Sequence, residues 1–271
     1  MPNRILRLYP GPSQEVELRG LYLRHAPHRQ DRSDRPFIYA DFVSSLDGRI
    51  AVQDAVPPEL TGANDLRLLL ELQAQADCVI THAGYLRAIA EGRLGDILTV
   101  GGQPQTDDLA AWRAQNGLRP QPAIVVASST LHFPMPPSIA DDTARVLIAT
   151  TRSAPAEKAQ SWRERGYQVL VLGDGPWVEG KPLADALSEL GHRNLFLLAG
   201  PRMLQTMLRD GMLSRLYLTL VHRLIGGEDI QTMIPGPLLG GAGRLRLSAL
   251  HHDPDGPDGA GQWFARFDAG A

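Results

Sequence analysis

Short apolar runs alternate along the chain with longer segments in which apolar residues recur every three or four positions. The run at 37–43 (FIYADFV) follows Pro36 and predicts a buried strand, interrupted by turn chemistry at Ser44-Ser45-Leu46-Asp47-Gly48. Leucines at 66, 69, 70 and 72 predict a helix over 63–75 with one broad apolar face and Thr61 as its N-cap. A strand at 77–81 and a helical segment at 85–90 come next. The alternation then predicts strands at 123–127, 145–150, 168–172, 194–199 and 215–221. Between them fall helices at 154–165, 182–190 and 202–209, closed by Gly166, Gly191 and Gly211. Two strands at 244–250 and 262–267, joined by a polar turn, end the pattern. Strands alternating with helices imply an α/β fold whose sheet is mostly parallel and covered by helices on both faces, with the final pair making it mixed. Residues 1–35, rich in Pro and Arg, read as an N-terminal extension, and 36–271 as one domain.

Composition narrows the class. With 271 residues, 43% of them hydrophobic, the chain can bury a large core in a single unit. A net charge of −3 without like-charge runs gives no support to nucleic-acid or membrane-surface binding. Cys78 is the single cysteine, so neither an intrachain disulfide nor a multi-thiolate metal site is possible, which fits a reducing cytoplasm. The first 20 residues lack the apolar core of a signal peptide, and no apolar stretch is long enough to span a bilayer.

Familiar signatures are missing. There is no G-x-G-x-x-G, and GPWVEGK at 175–181 is followed by Pro182 where a P-loop needs a hydroxyl. One cysteine cannot supply a zinc-deaminase motif, and adjacent His251 and His252 on a strand point to opposite faces. Three local features carry chemistry. His82 ends an apolar strand just before Gly84, and reads equally as a ligand contact or a polar loop residue. Gly200-Pro201 opens a helix straight after the strand LFLLA, so its first turn can present free N–H groups to an anion or be an ordinary helix start. Thr150-Thr151-Arg152-Ser153 closes another strand with groups suited to a ribose 2′-phosphate, or forms a polar loop.

Three segments taken together say more: 42–51 (FVSSLDGRIA), 60–88 (LTGANDLRLLLELQAQADCVITHAGYLRA) and 195–227 (LFLLAGPRMLQTMLRDGMLSRLYLTLVHRLIGG). In this order they resemble the reductase domain of the bifunctional riboflavin-biosynthesis proteins, without the deaminase half. That family has a dihydrofolate reductase-like fold and passes hydride from NADPH to C1′ of a ribosylaminopyrimidine phosphate. The resemblance implies an active site at Asp47, with Asp47 itself the polar residue nearest the reacting centre. It also implies cofactor contacts from Gly84, Tyr85, Ser128, Gly200, Pro201, Arg202, Met203 and Leu204, to which Ser45 of the S-L-D-G turn and the 2′-phosphate candidates Thr150 and Arg152 are added as cofactor contacts. Thr61, Gln73 and Leu198 fall at substrate positions, where Gln73 replaces a family Arg and Leu198 a family Glu. The resemblance implies a homodimer as well, with the strand near 216–224 and the terminal pair extending a sheet between subunits. Two alternatives stand beside it: a reductase of another pterin-like, imine or carbonyl substrate, and a non-catalytic nucleotide-binding descendant.

Overall fold

The computed structural model describes residues 4–30, 35–53, 55–104 and 106–270; part of the expected N-terminal extension, 1–3 and 31–34, lies outside them. An eleven-stranded sheet runs through the molecule. Its parallel half follows the predicted strands: β3 (Phe37–Ser45), β5 (Cys78–His82), β6 (Ala123–Ala127), β7 (Val146–Thr150), β8 (Gln168–Val171), β9 (Asn194–Leu197) and β10 (Leu213–Val221). The residues AIVVA and VLIAT of β6 and β7 are buried at every position, as strands covered on both faces must be. Burying each Val or Ile contributes roughly 1.5–3 kcal/mol, which is why short runs suffice.

The antiparallel half consists of β12 (Leu245–Asp253) and β13 (Gln262–Ala269), continued by β1 (Arg4–Tyr9) and β2 (Gln14–Glu17). Across the sheet the order is β2-β1-β12-β13-β10-β3-β9-β5-β6-β7-β8. The leading segment therefore belongs to the same sheet: β1 pairs with β12 antiparallel, Leu6 opposite His252. The proposed sheet extension between subunits is corrected too. β10 is paired on both sides, by β13 and β3, and β12 by β13 and β1, so neither has a free edge.

Helices cover both faces. On one, α6 (Gly180–Glu189) and α7 (Pro201–Arg209) bury Leu183, Leu187, Leu204 and Met207 against Ile38, Ala40, Ile80 and Leu197. On the other, α1 (Ala63–Gln73) and the segment around Leu21 and Tyr22 pack on Tyr39, Phe196 and Tyr217. Alongside them α2 (Ala83–Ala90) and α5 (Ala156–Glu164) enclose Leu86, Ile124, Ile148 and Trp162. A further helix, α3 (Asp107–Gln115), goes unpredicted because DDLAAWRAQ has no apolar stripe; it is held instead by Arg113, buried with its guanidinium on the carbonyls of Ala74, Ala76 and Arg119. No helix among the described residues is long and apolar enough to cross a membrane.

Candidate active site

All the parallel strands run the same way, so Ser45, His82, Ala127, Thr150, Leu197 and Val221 end on one edge of the sheet. That edge is where open α/β sheets bind ligands. Two helices start there. His82 is the N-cap residue of α2, Gly200 that of α7, and neither supplies a side-chain cap. Pro201 has no N–H to offer, so the amide of Arg202 is left in the first turn of α7 for an anion. The His82 ring lies between the two glycines. A Cβ on Gly84 would come 2.8 Å from its Nδ1, and one on Gly200 3.5 Å from its Nε2. Burial, with a smaller push from Arg87, lowers His82 to about 4, so the imidazole there is neutral at physiological pH.

A second group of side chains near these strand ends is acidic. Asp41 on β3 and Asp65 on the first turn of α1 keep partial exposure, together with Val43, Leu69 and Leu198 around them. Burial first, then the neighbouring Asp65, raises the Asp41 carboxyl well above its usual range. Asp65 is raised to about 6 by burial, although the Thr219 hydroxyl hydrogen-bonds it and opposes the shift. Oδ1 of Asp41 is buried with no partner. The strand register explains the neighbourhood: Ala40 pairs with Leu197, so one step further Leu198 lies beside Asp41. The apolar side chain at 198 thus adjoins a carboxyl supplied from the next strand. Sequence reasoning missed this pair because FIYADFV reads as an apolar run; its one visible signal was an Asp inside it.

Several expected contacts are occupied elsewhere. Asp47 accepts hydrogen bonds from the Ser45 hydroxyl and from the backbone N–H groups of Ile225 (3.2 Å) and Gly226 (2.8 Å). Those bonds hold it at about 2, so it is an ionised brace for the loop after β10 and not a proton donor. Ser45 is fully buried and its hydroxyl also accepts from Arg49 N at 2.9 Å, so it does not face a cofactor. Gln73 is fully buried and donates to the Ile97 carbonyl at 2.6 Å; it cannot meet a substrate phosphate. The Tyr85 hydroxyl accepts from Ile97 N (3.2 Å) and donates to Gly95 O (2.7 Å), so these two residues pin the loop that follows α2.

Thr61 is not the N-cap of α1. Gly62 occupies that place, and the Thr61 hydroxyl donates back to Pro58 O at 2.8 Å because a 3-10 turn precedes it. Thr61 does line a cavity of about 360 Å³ formed by the start of α1 and the turn at 255–258. The 150–153 group is split: Thr150 and Thr151 are buried, whereas Arg152 is exposed and paired with Asp174. Ser128 is buried and accepts from Leu131 N. Met203 and Leu204 turn their side chains into the core, and Arg202 stacks over Trp177 at 3.9 Å.

A nucleotide fits the first wall. Two helix starts without side-chain caps converge on glycines where backbone, one neutral imidazole and the Arg87 guanidinium stand, and diphosphate needs such donors without carboxylates. Comparisons with known proteins agree. The 2,5-diamino-6-ribosylamino-4(3H)-pyrimidinone 5′-phosphate reductase of Archaeoglobus fulgidus is 28% identical over 202 residues, 74% of this chain and 87% of that protein. Its Methanothermobacter thermautotrophicus counterpart is 26% identical over 204 residues, 74% of this chain and 85% of the relative. Among solved structures, a pyrimidine reductase-like protein from Corynebacterium diphtheriae superposes with a TM-score of 0.68 at 20% identity, covering 87% of this chain and 92% of the other. That likeness, like the Acinetobacter baumannii RibD match (TM-score 0.64, 19% identity, 88% of this chain and 59% of RibD), shows the shared dihydrofolate reductase-like fold. The family model described as the RibD C-terminal domain matches residues 36–259, and the chain belongs to that family.

Proposed function

We propose that this chain is an NADPH-dependent reductase that opens the ribosyl ring of a ribosylaminopyrimidine 5′-phosphate to a ribityl chain. The observation that carries the reading is a pair of proton-holding carboxyls, Asp41 and Asp65, near the same strand ends as the glycine-lined helix starts, in a chain of this family. A reduced nicotinamide nucleotide, when bound, supplies the hydride. The Gly84 and Gly200 turns would hold its diphosphate, and Arg152, exposed and paired with Asp174, would exchange that partner for a 2′-phosphate. As C1′ gains hydride, its bond to the ring oxygen breaks and the electron pair stays on that oxygen. Asp65, which burial leaves protonated at mildly acid pH, donates its proton there. Asp47 contributes by fixing the loop at 223–227, which lines a neighbouring cavity of about 400 Å³ with Glu59.

A second reading has its own observation: Gln73 is buried and Leu198 is apolar, so neither supplies a polar contact to a phosphorylated pyrimidine. It gives the same chemistry to another imine or carbonyl. Loss of NADPH absorbance with the ribosylaminopyrimidine phosphate is expected, and with a pterin panel is not. Turnover of a pterin alone favours the second reading; no turnover of any, with NADPH unbound, overturns both. The proposal includes a cytoplasmic homodimer, for which the exposed Leu224 and Leu238 beside the cleft offer apolar surface, and light scattering at the monomer mass would refute the dimer.

A further inference from the structure

A second cavity, of about 240 Å³, lies on the antiparallel flank, enclosed by β1, the 3-10 turn Leu23–His25 and the β12–β13 pair. Its lining contains Arg7, Arg24 and Arg266, with His25 and His251, and no carboxylate. Among the described residues none of these three arginines forms an ion pair. Their hydrogen-bond partners are neutral: Arg7 donates to Gln14 Oε1 at 3.0 Å, Arg24 to Glu17 O at 3.2 Å, and Arg266 to Ser248 Oγ at 2.9 Å. Asp268, on the same strand as Arg266, is held by Arg215 at 2.8 Å. Neutral acceptors satisfy N–H groups but leave Arg7 and Arg24 without a countercharge and Arg266 with only the longer-range pull of Asp268, and a concave wall concentrates the resulting potential. The two histidines register it. Burial lowers both, and Arg266 is the next largest cause for each, His251 falling to about 4. Nδ1 of His25 and Nε of Arg7 are buried without a partner.

Three guanidiniums from three elements converging on one small cavity match the forked geometry of phosphate oxygens. We propose that this cavity is a binding site for a small phosphate-bearing anion, which by bridging Arg7 and Arg24 to Arg266 fastens the N-terminal segment to the sheet. At about 240 Å³ it is smaller than the usual range for drug-sized ligands, so a dinucleotide is excluded and orthophosphate, pyrophosphate or a small phosphate monoester fits. The segment that builds it, with Arg7, Arg24 and His25, precedes residue 36, where the family model begins.

The test is calorimetric titration of the full chain with orthophosphate, pyrophosphate and ribose 5-phosphate, each against chloride at matched ionic strength and with NADP⁺ saturating. At least one phosphate is expected to bind saturably, and the tightest of the three identifies the source. Arg7→Gln/Arg24→Gln, with folding checked by circular dichroism, is expected to weaken that binding tenfold or more while leaving NADPH affinity unchanged. Should the double variant not fold, Arg24→Gln alone is read, since that side chain is exposed. Phosphate is also expected to slow hydrogen exchange over residues 4–25 in the unaltered chain. No saturable binding, or undiminished affinity in the folded variant, overturns the site. Failure of NADP⁺ to bind would sink the reductase reading and leave this comparison intact.

Discussion

Two groups of residues near the strand ends form walls of different material. Where β5 and β9 end, the chain offers backbone: Gly84, Gly200 and two helix starts, with one neutral imidazole between them. Where β3 ends and α1 begins, it offers Asp41 and Asp65 with the Thr219 hydroxyl. The first wall recognises a ligand by shape and fixed dipoles, which do not titrate. The second holds protons, and its properties change with pH. Volume or charge placed on the glycines should therefore break binding, whereas neutralising a carboxyl should break chemistry.

The largest effect is expected at Gly200. Its φ of −69° suits any residue, and a Cβ there meets only His82 at an ordinary distance, so Gly200→Asp should fold and even cap α7. The added carboxylate would sit where diphosphate belongs. NADPH affinity, followed by fluorescence titration, should fall about a hundredfold or more, corresponding to roughly 3 kcal/mol. Unchanged affinity would remove the cofactor from this wall.

Asp65→Asn should leave NADPH affinity alone and lower kcat about a hundredfold, within the range of general acid catalysis. In the unaltered chain the rate should fall as pH rises past about 6, where Asp65 loses its proton, and the variant should lose that limb. Stability gives an independent check. The folded carboxyl is raised from 3.8 to about 6, so its contribution is fully present below pH 4 and lost as pH rises through 6, a loss of about 2–3 kcal/mol. Denaturant melts of Asp65→Asn at pH 4 and pH 8 should show a smaller difference than melts of the parent. An equal difference would mean that the carboxyl titrates normally.

This contrast between walls also explains what could be read in advance. Buried parallel strands such as AIVVA and VLIAT announce themselves, since water exclusion on both faces demands unbroken apolar residues. The glycine opening α7 was equally visible, because backbone sites need a particular residue at a particular boundary. The acidic wall was not, because Asp41 and Asp65 lie 24 positions apart in sequence and meet only through the packing of α1 on β3. Polar residues at family positions misled in the other direction. Ser45 bonds within its own turn, whereas Gln73 and Tyr85 reach from their helices to the 95–97 loop, and nothing local shows where such a side chain finds its partner. Strands β1 and β2, with Arg and Glu at half-buried or exposed positions, lack the alternation that one buried face would impose.

Tyr85→Phe tests how far the first wall depends on its supports. The variant removes a bond to Gly95 O and leaves Ile97 N without its acceptor, which should cost about 1–2 kcal/mol in a thermal melt. Burial pushes this phenol up to about 12, so the loss should be the same from pH 6 to pH 9. Cofactor affinity should change less than stability does, since the hydroxyl points into the 95–97 loop and away from the glycines.

His82 interrupts the backbone wall, beside the Arg87 guanidinium near Gly84, and it should give the smallest effect. Its ring fills space within 2.8 Å of where a Gly84 side chain would begin, so a diphosphate entering between the helix starts must displace or stack against it. Being neutral, it adds no charge attraction at pH 7 to offset that displacement. His82→Ala should therefore tighten NADPH binding by about three- to fivefold, less than 1 kcal/mol. If binding instead weakens, the imidazole is a direct phosphate donor. Affinity of the unaltered chain should then rise between pH 7 and pH 5, as the bound anion pulls the ring's pKa upward, and the contrast drawn between a fixed wall and a titrating one would have to be redrawn with His82 on the titrating side.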